Sequence, residues 1–346
     1  MPAVRLEPLA RFPGLRVLGW HAGVLYAARG YEVVRWTAGT SGWEPAGGFD
    51  PGPLHRWASR TRLGDRLVRG GCHALARLHN GGLVASFPKV IALKPAGTPR
   101  FHTVLAVPRG RRPLGIADTP DGWVYWGEYF PNPDRDAVRV FGSRDGENWQ
   151  VVYTFPAGTI RHVHSITYDV HAGCLWVLTG DDGDECRILR AKPDWSSVEV
   201  VLAGGQQARA VALLPRADAV YYASDTEWEQ NFIYRLERTG GTTRLAPIAA
   251  SSFHGCRVGN ALFFSTGVEP SRVNTGRDAV LYGSADGVHW DAVVRWRRDP
   301  WHLRLFGYAN IALPSGENDG EILAASGYAV RGQDEVTHLW RVRLEA

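Results

Sequence analysis

Three histidines, His73, His164 and His254, stand at matching places in a pattern that repeats through the 346-residue sequence, and Arg209 and Tyr308 hold the same place in two further repeats. Neutral imidazole is a common nitrogen ligand for transition metals, which makes His73, His164 and His254 candidate ligands of a divalent metal. Imidazole and phenol also move protons, so His164, His254 and Tyr308 are candidate catalytic groups. A guanidinium meets a carboxylate through two parallel hydrogen bonds, so Arg161 and Arg209 are candidates for holding an anionic substrate. The polar loops add Glu128, Arg135, Glu269 and Arg277 as further substrate-binding candidates. Taken singly, each reads as an ordinary turn or surface residue. Their equivalence across repeats is what points to one concave site.

The register comes from three short strands repeated seven times. The third strand reads VVRW at 33–36, VIAL at 90–93, VRVF at 138–141, RILR at 187–190, IYRL at 233–236, VLY at 280–282 and LWRV at 339–342. Each follows an apolar second strand, such as LWVLTGD or LFFSTG, and an inner strand precedes that. The inner strands begin at Leu18, His73, Leu114, His164, Arg209, His254 and Tyr308. The spacing predicts an all-β chain: a seven-bladed β-propeller of four-stranded antiparallel blades, a single domain over 1–346. The last triplet runs on to Leu344, after which only Glu345 and Ala346 remain, so the last blade lacks a fourth strand of its own. Segment 4–12 has no other partner, and an N-terminal strand over about 3–12 is therefore expected to close the ring and hide its edges. No window keeps apolar residues at helical spacing through several turns, so no helix is expected.

Composition agrees and narrows the function. Hydrophobic residues make up 45%, and 40 Gly, 21 Pro and 14 Trp suit many strands joined by tight turns. With 39 basic against 35 acidic residues the charge is only +4, too balanced for binding to nucleic acid. No apolar run is long enough for a membrane span or a secretory leader, so a cytoplasmic location is expected. Cys72, Cys174, Cys186 and Cys256 are widely spaced, with no C-x-x-C pair, and are expected to remain thiols.

Two repeats carry a more specific signature. Ser143, Asp145, Gly146 and Trp149 spell S-x-D-G-x-x-W in blade three, and Ser284, Asp286, Gly287 and Trp290 spell it again in blade six. The motif resembles the Asp-box, or BNR repeat, of sialidase-like propellers, with one residue fewer between Asp and Gly; SGW at 41–43 and PDW at 193–195 are degenerate traces. The resemblance implies a turn between third and fourth strands, on the face away from a ligand. Asp and Ser bond the turn backbone, Gly permits positive φ and Trp packs between sheets, so the box is a folding device. Function must be sought on the opposite face.

That face is built from loops leading into inner strands and loops joining second to third strands. The first set adds Arg69, Arg109, Arg111, Arg112, His162, Arg297, Arg298 and Arg304. The second set is acidic and polar, with TGDDGDE at 179–185, SDTEWEQN at 224–231 and GVEPSRVNTGRD at 267–278. A basic rim suits an acidic, uronate-type saccharide. The layout resembles propeller polysaccharide lyases, which implies β-elimination, with Arg161 or Arg209 on the carboxylate and His164, His254 or Tyr308 as base. A sialidase-type glycosidase has less behind it, because of Arg161, Arg209 and Arg257 only Arg209 begins an inner strand. The alternatives are a His-ligated metal enzyme and a non-enzymatic ligand- or protein-binding scaffold, since no nucleophile elbow or phosphate loop is present.

Overall fold

Successive side chains of a strand point to opposite faces, yet in the second strands of this chain nearly all of them are buried. In Cys174–Thr179, Leu175 and Val177 pack with Val138, Val140 and Phe155 of one neighbouring sheet. Trp176 and Leu178 pack with Leu213, Val220 and Tyr222 of the other. A sheet that is apolar on both faces needs a sheet on either side, and a closed ring satisfies every sheet at once. The computed structural model describes residues 2–345 and shows seven antiparallel blades with an apolar layer between each neighbouring pair.

Six blades run inner to outer in chain order. The seventh is assembled from both ends: Asn310–Ala312, Ile322–Tyr328 and Val336–Glu345, with Ala3–Pro13 outermost. Val4 pairs with Leu344 and Pro13 with Val336, with one slip between Pro8 and Ala10. Blade one gains a fifth strand at the axis that the sequence did not announce. Ser315–Gly316 leaves blade seven and pairs in parallel with Gly19 and Trp20. Blades seven and one are therefore joined at the inner edge of the ring as well.

Three short helices break the all-β expectation: α1 at Pro53–Ala58, α2 at Arg62–Val68 and α3 at Leu303–Phe306. At four to seven residues they are too short to show a helical period. Local chemistry defines them instead. Thr61 accepts the Gly64 N–H at the start of α2, and Arg69 ends it in the left-handed conformation at φ 48°. Arg66, 2% exposed, anchors α2 by binding Asp299 and the Phe306 carbonyl beside α3. The helices lie in the connections from blade one to two and from blade six to seven, and so crown the face where inner strands begin.

The two S-x-D-G-x-x-W segments fold alike, between third and fourth strands on the opposite face. Ser143 Oγ accepts from Gly146 N–H at 2.9 Å, and Asp145 Oδ1 accepts from Glu147 and Asn148 N–H at 2.9 and 2.8 Å. In blade six Ser284 Oγ accepts from Gly287 N–H at 2.8 Å, and Asp286 Oδ1 accepts from Val288 and His289 N–H, both at 2.8 Å. Gly146 and Gly287 have φ near +76° and +80°, which an L side chain rarely adopts.

Two outcomes test this assembly. Removing residues 2–12 should lower the melting temperature by about 10 °C or more in a thermal melt, because a whole edge and the packing of Leu6 and Phe12 are lost. An unchanged melt would put ring closure elsewhere. Asp286→Ala should cost about 1 to 3 kcal/mol in chemical denaturation while any ligand at the far face binds as before; loss of binding at full stability would overturn the structural role.

Candidate functional site

A cavity of about 1530 Å³ runs along the axis. Leu18, His73, Leu114, His164, Arg209, His254 and Tyr308 all line it, each within three residues of an inner strand that begins at Arg16, Ala74, Ala117, Val163, Ala210, Ser252 or Asn310. Repetition supplies the reason: a ring puts equivalent backbone positions at equal distance from its axis. Glu269 reaches the same wall from the loop after the second strand of blade six. Arg161 lies just behind the wall, paired with Asp181 at 3.1 Å.

Besides Arg161, three of the sequence candidates do not reach the cavity. Glu128, with no exposed surface, binds Arg109 and Arg139 and accepts the Arg139 N–H at 2.9 Å, so its charge is spent inside blade three. Arg135 pairs with Glu185 at 2.5 Å and Asp182 at 3.6 Å. Arg277 is exposed on its loop.

The wall divides into two sectors of different chemistry. Arg16, Arg69, Arg111 and Arg112 line the side formed by blades one to three and α2. Among the described residues none has a carboxylate within ion-pair distance. Arg16 donates to the Cys72 carbonyl and lies 3.5 Å from His73 Nδ1, and Arg111 donates to the Val68 carbonyl. Burial and the charges of Arg16 and Arg111 push the Arg112 guanidinium below its ordinary range. His73 lies in this sector, its Nε2 3.1 Å from the Arg69 carbonyl; burial and the Arg112 and Arg16 charges hold it neutral. His254 is likewise pushed down to about 4, chiefly by burial and then by Arg16.

Blades four to six form the other sector. His162 and His164, 5% and 3% exposed, converge on Asp181 from the second loop of blade four. Their Nε2 atoms are 3.1 Å apart, and the Asp181 oxygens lie 3.4 Å from His162 and 3.2 Å from His164. These are the metal-competent ligand atoms that converge among the described residues; His73 and His254 are held elsewhere in the channel. Arg209 bridges Asp181 and Asp225, at 3.4 Å from each. Tyr129 covers His162 with ring centres 4.3 Å apart.

Glu269 completes this sector with no salt bridge, and burial, helped by Asp225 and Glu227, pushes it up to about 7. Burial also raises the Tyr308 phenol, with Glu269 and Glu227 adding to the effect. Sequence comparison of the repeats missed the Asp181 partnership, because His162 and Asp181 lie outside the aligned strand starts. The signal available was the alternation in HVH, which sends His162 and His164 to the same side of the strand.

No protein-family model matches the chain, and no curated protein matches it by sequence. Solved structures resemble it in shape. A chain of the mitotic checkpoint complex superposes at TM-score 0.61 with 12% identity, covering 96% of this chain and 94% of that one. The WD40 β-propeller domain of Doa1 gives 0.57 and 11%, covering 98% and 97%. The GH74 enzyme of Niastella koreensis gives 0.52 and 15%, covering 83% of this chain and 46% of that one. At such identities the likeness establishes the propeller fold alone.

The Glu269 environment has a measurable signature. The folded chain holds this proton up to about pH 7, whereas an ordinary glutamate releases it near 4.5. Between those values the folded form binds more protons than the unfolded form, so this group's contribution to stability falls as pH rises from 4.5 to about 7. Glu269→Gln should therefore stabilise the protein by about 1 to 2 kcal/mol at about pH 8 and by almost nothing at about pH 4. Denaturation curves showing the same difference at both pH values would mean that Glu269 ionises normally.

Proposed function

We propose that the channel binds an acidic, uronate-type saccharide, with carboxylate recognition in the sector of Arg16, Arg69, Arg111 and Arg112. The observation that carries this reading is that these four guanidinium groups face a cavity without acidic partners, whereas Arg161 and Arg209 already hold Asp181 and Asp225. Arg16, Arg111 and Arg112 are half-buried, and an uncompensated guanidinium cluster partly withdrawn from water is stabilised by an anion that supplies bidentate acceptors. Sugar recognition has its own support. Of the 14 Trp, only Trp57, Trp228 and Trp301 rank as exposed, at 67%, 61% and 45%, and all three sit in connections on the mouth face. Flat aromatic faces in that position suit stacking against the apolar face of a pyranose ring.

Cleavage by β-elimination fits the same groups. Arginines neutralising the uronate carboxylate stabilise the charge that develops when the adjacent proton leaves. His254 is unprotonated at neutral pH and has the lone pair a base needs. Tyr308, whose phenol is held protonated, suits donation to the leaving oxygen. The GH74 neighbour shows that a propeller of related shape is found in an enzyme, and it adds nothing on substrate.

A second reading has one observation in its favour. Leu54, Trp57, Leu67, Trp301 and Leu305 are all exposed on or beside the three helices, as expected of a surface that receives another protein.

Calorimetric titration with uronate-containing and neutral oligosaccharides separates these readings. Uronate oligomers should bind, neutral ones should bind more weakly, and Arg112→Ala should cost about 1.5 to 3 kcal/mol. A lyase would also release a product with a new carbon–carbon double bond, visible in the ultraviolet. Absence of binding by every uronate oligomer, or full affinity in Arg112→Ala, would leave the protein-docking reading in front.

A further inference from the structure

We propose that His162, His164 and Asp181 form a binding site for a divalent first-row transition metal, zinc fitting best. The proposal is independent of the saccharide reading.

Hydrogen-bond accounting comes first. His162 Nδ1 lies 3.1 Å from the Phe130 carbonyl, and His164 Nδ1 lies 2.9 Å from the Ala210 carbonyl. A carbonyl only accepts, so each Nδ1 carries the ring proton, and in a neutral ring Nε2 then carries a lone pair. Both lone pairs point at one spot, with the two Nε2 atoms 3.1 Å apart. The Asp181 oxygens, which also only accept when ionised, close the triangle at 3.2 and 3.4 Å. Three electron-pair donors facing one another repel unless a positive centre lies between them. A Nδ1–H bonded to a backbone carbonyl is also the usual outer support of a histidine whose Nε2 binds metal.

Size agrees with the chemistry. Zinc bonds of about 2.0 to 2.1 Å at tetrahedral angles place ligand atoms about 3.3 Å apart. The two Nε2 atoms at 3.1 Å, His164 Nε2 to Asp181 Oδ1 at 3.2 Å and His162 Nε2 to Asp181 Oδ2 at 3.4 Å all lie near that value, with each histidine facing its own carboxylate oxygen. Two imidazoles and one carboxylate favour zinc, manganese, iron or cobalt over calcium or magnesium, which prefer all-oxygen sets. His164 and Asp181 line the cavity whereas His162 lies behind them under Tyr129, so the remaining coordination positions face the channel.

Charge balance supplies an independent observation. Asp225, 4% exposed, lines the same wall, and its Oδ1 is buried without a hydrogen-bond partner. Its Oδ2 meets Arg209 at 3.4 Å, which leaves Oδ1 as an unsatisfied acceptor beside the cluster. Arg161 and Arg209 each contact a different Asp181 oxygen, and each oxygen keeps a second lone pair for the metal.

One non-metal arrangement competes: a single imidazolium whose Nε2–H bonds Asp181. Equilibrium dialysis of the chelator-treated full chain against zinc decides, with cobalt as a spectroscopic probe. The expected result is about one zinc per chain, and a visible cobalt band of a low-coordinate nitrogen and oxygen site. His164→Ala and Asp181→Asn should each weaken zinc binding at least about tenfold, and His73→Ala should keep it. If a variant fails to fold, the wild-type chain alone still decides, because addition of zinc should raise its melting temperature. No zinc retained and no cobalt band, or zinc retained equally by His164→Ala and Asp181→Asn, overturns the proposal. Nitrogen NMR showing one protonated ring in zinc-treated protein would establish the imidazolium arrangement instead.

Discussion

Ring closure by strands from opposite ends of the chain is the constraint on which everything else rests. A blade that is apolar on both faces is stable only between two others, so an unclosed array would leave two such faces in water. Closure is made at two radii. At the rim Ala3–Pro13 lies along Val336–Glu345, and at the axis Ser315–Gly316 crosses to blade one. Between them Thr337 Oγ1 donates to the Leu15 carbonyl at 2.8 Å, and Val17 N–H donates to Ser326 Oγ at 2.9 Å. These partners are 322 and 309 residues apart in sequence, so they form only after most other contacts have reduced the effective loop between them.

The ring was legible because its determinants are local and repeated. Seven short β-branched strands, each behind a continuous apolar strand, leave little choice of period, and the shortage of one outer strand identified 4–12 as the closing segment. What escaped the sequence was not periodic. The helices depend on single residues, such as Thr61 at a cap and Arg66 binding Asp299 across 233 positions. Inter-blade ion pairs were equally hidden. Asp169, fully buried in blade four, accepts from Trp176 Nε1 at 3.0 Å and from Arg238 of blade five at 3.0 Å, a link between residues 69 positions apart.

The site shows the same division. Alignment of inner-strand entries selected Arg209, His164, His254 and Tyr308, which line the channel wall, and Glu269, chosen for its loop charge, lines it too. Charge in a loop carries no such equivalence, and this is why Glu128, Arg135 and Arg277 read as site candidates while their side chains serve the blade or face solvent. A buried charge is tolerated where a partner of opposite sign is near. Glu128, Asp169, Asp181 and Glu185 are accordingly matched with arginine, and the arginines of blades one to three that remain unmatched stand out only when distances are known.

The three helices crown one arc of the mouth, and the unmatched arginines lie beneath that same arc, opposite the histidine and acidic groups. Seven nearly equivalent blades by themselves would give a ring with no preferred bearing, into which an elongated molecule could settle in several rotated poses. Here one bearing carries guanidinium groups with no carboxylate partner, and on the opposite one Asp181 and Asp225 are already paired with arginine. The wall is thereby polarised across the axis, so that rotated poses of an elongated molecule in the channel are not equivalent.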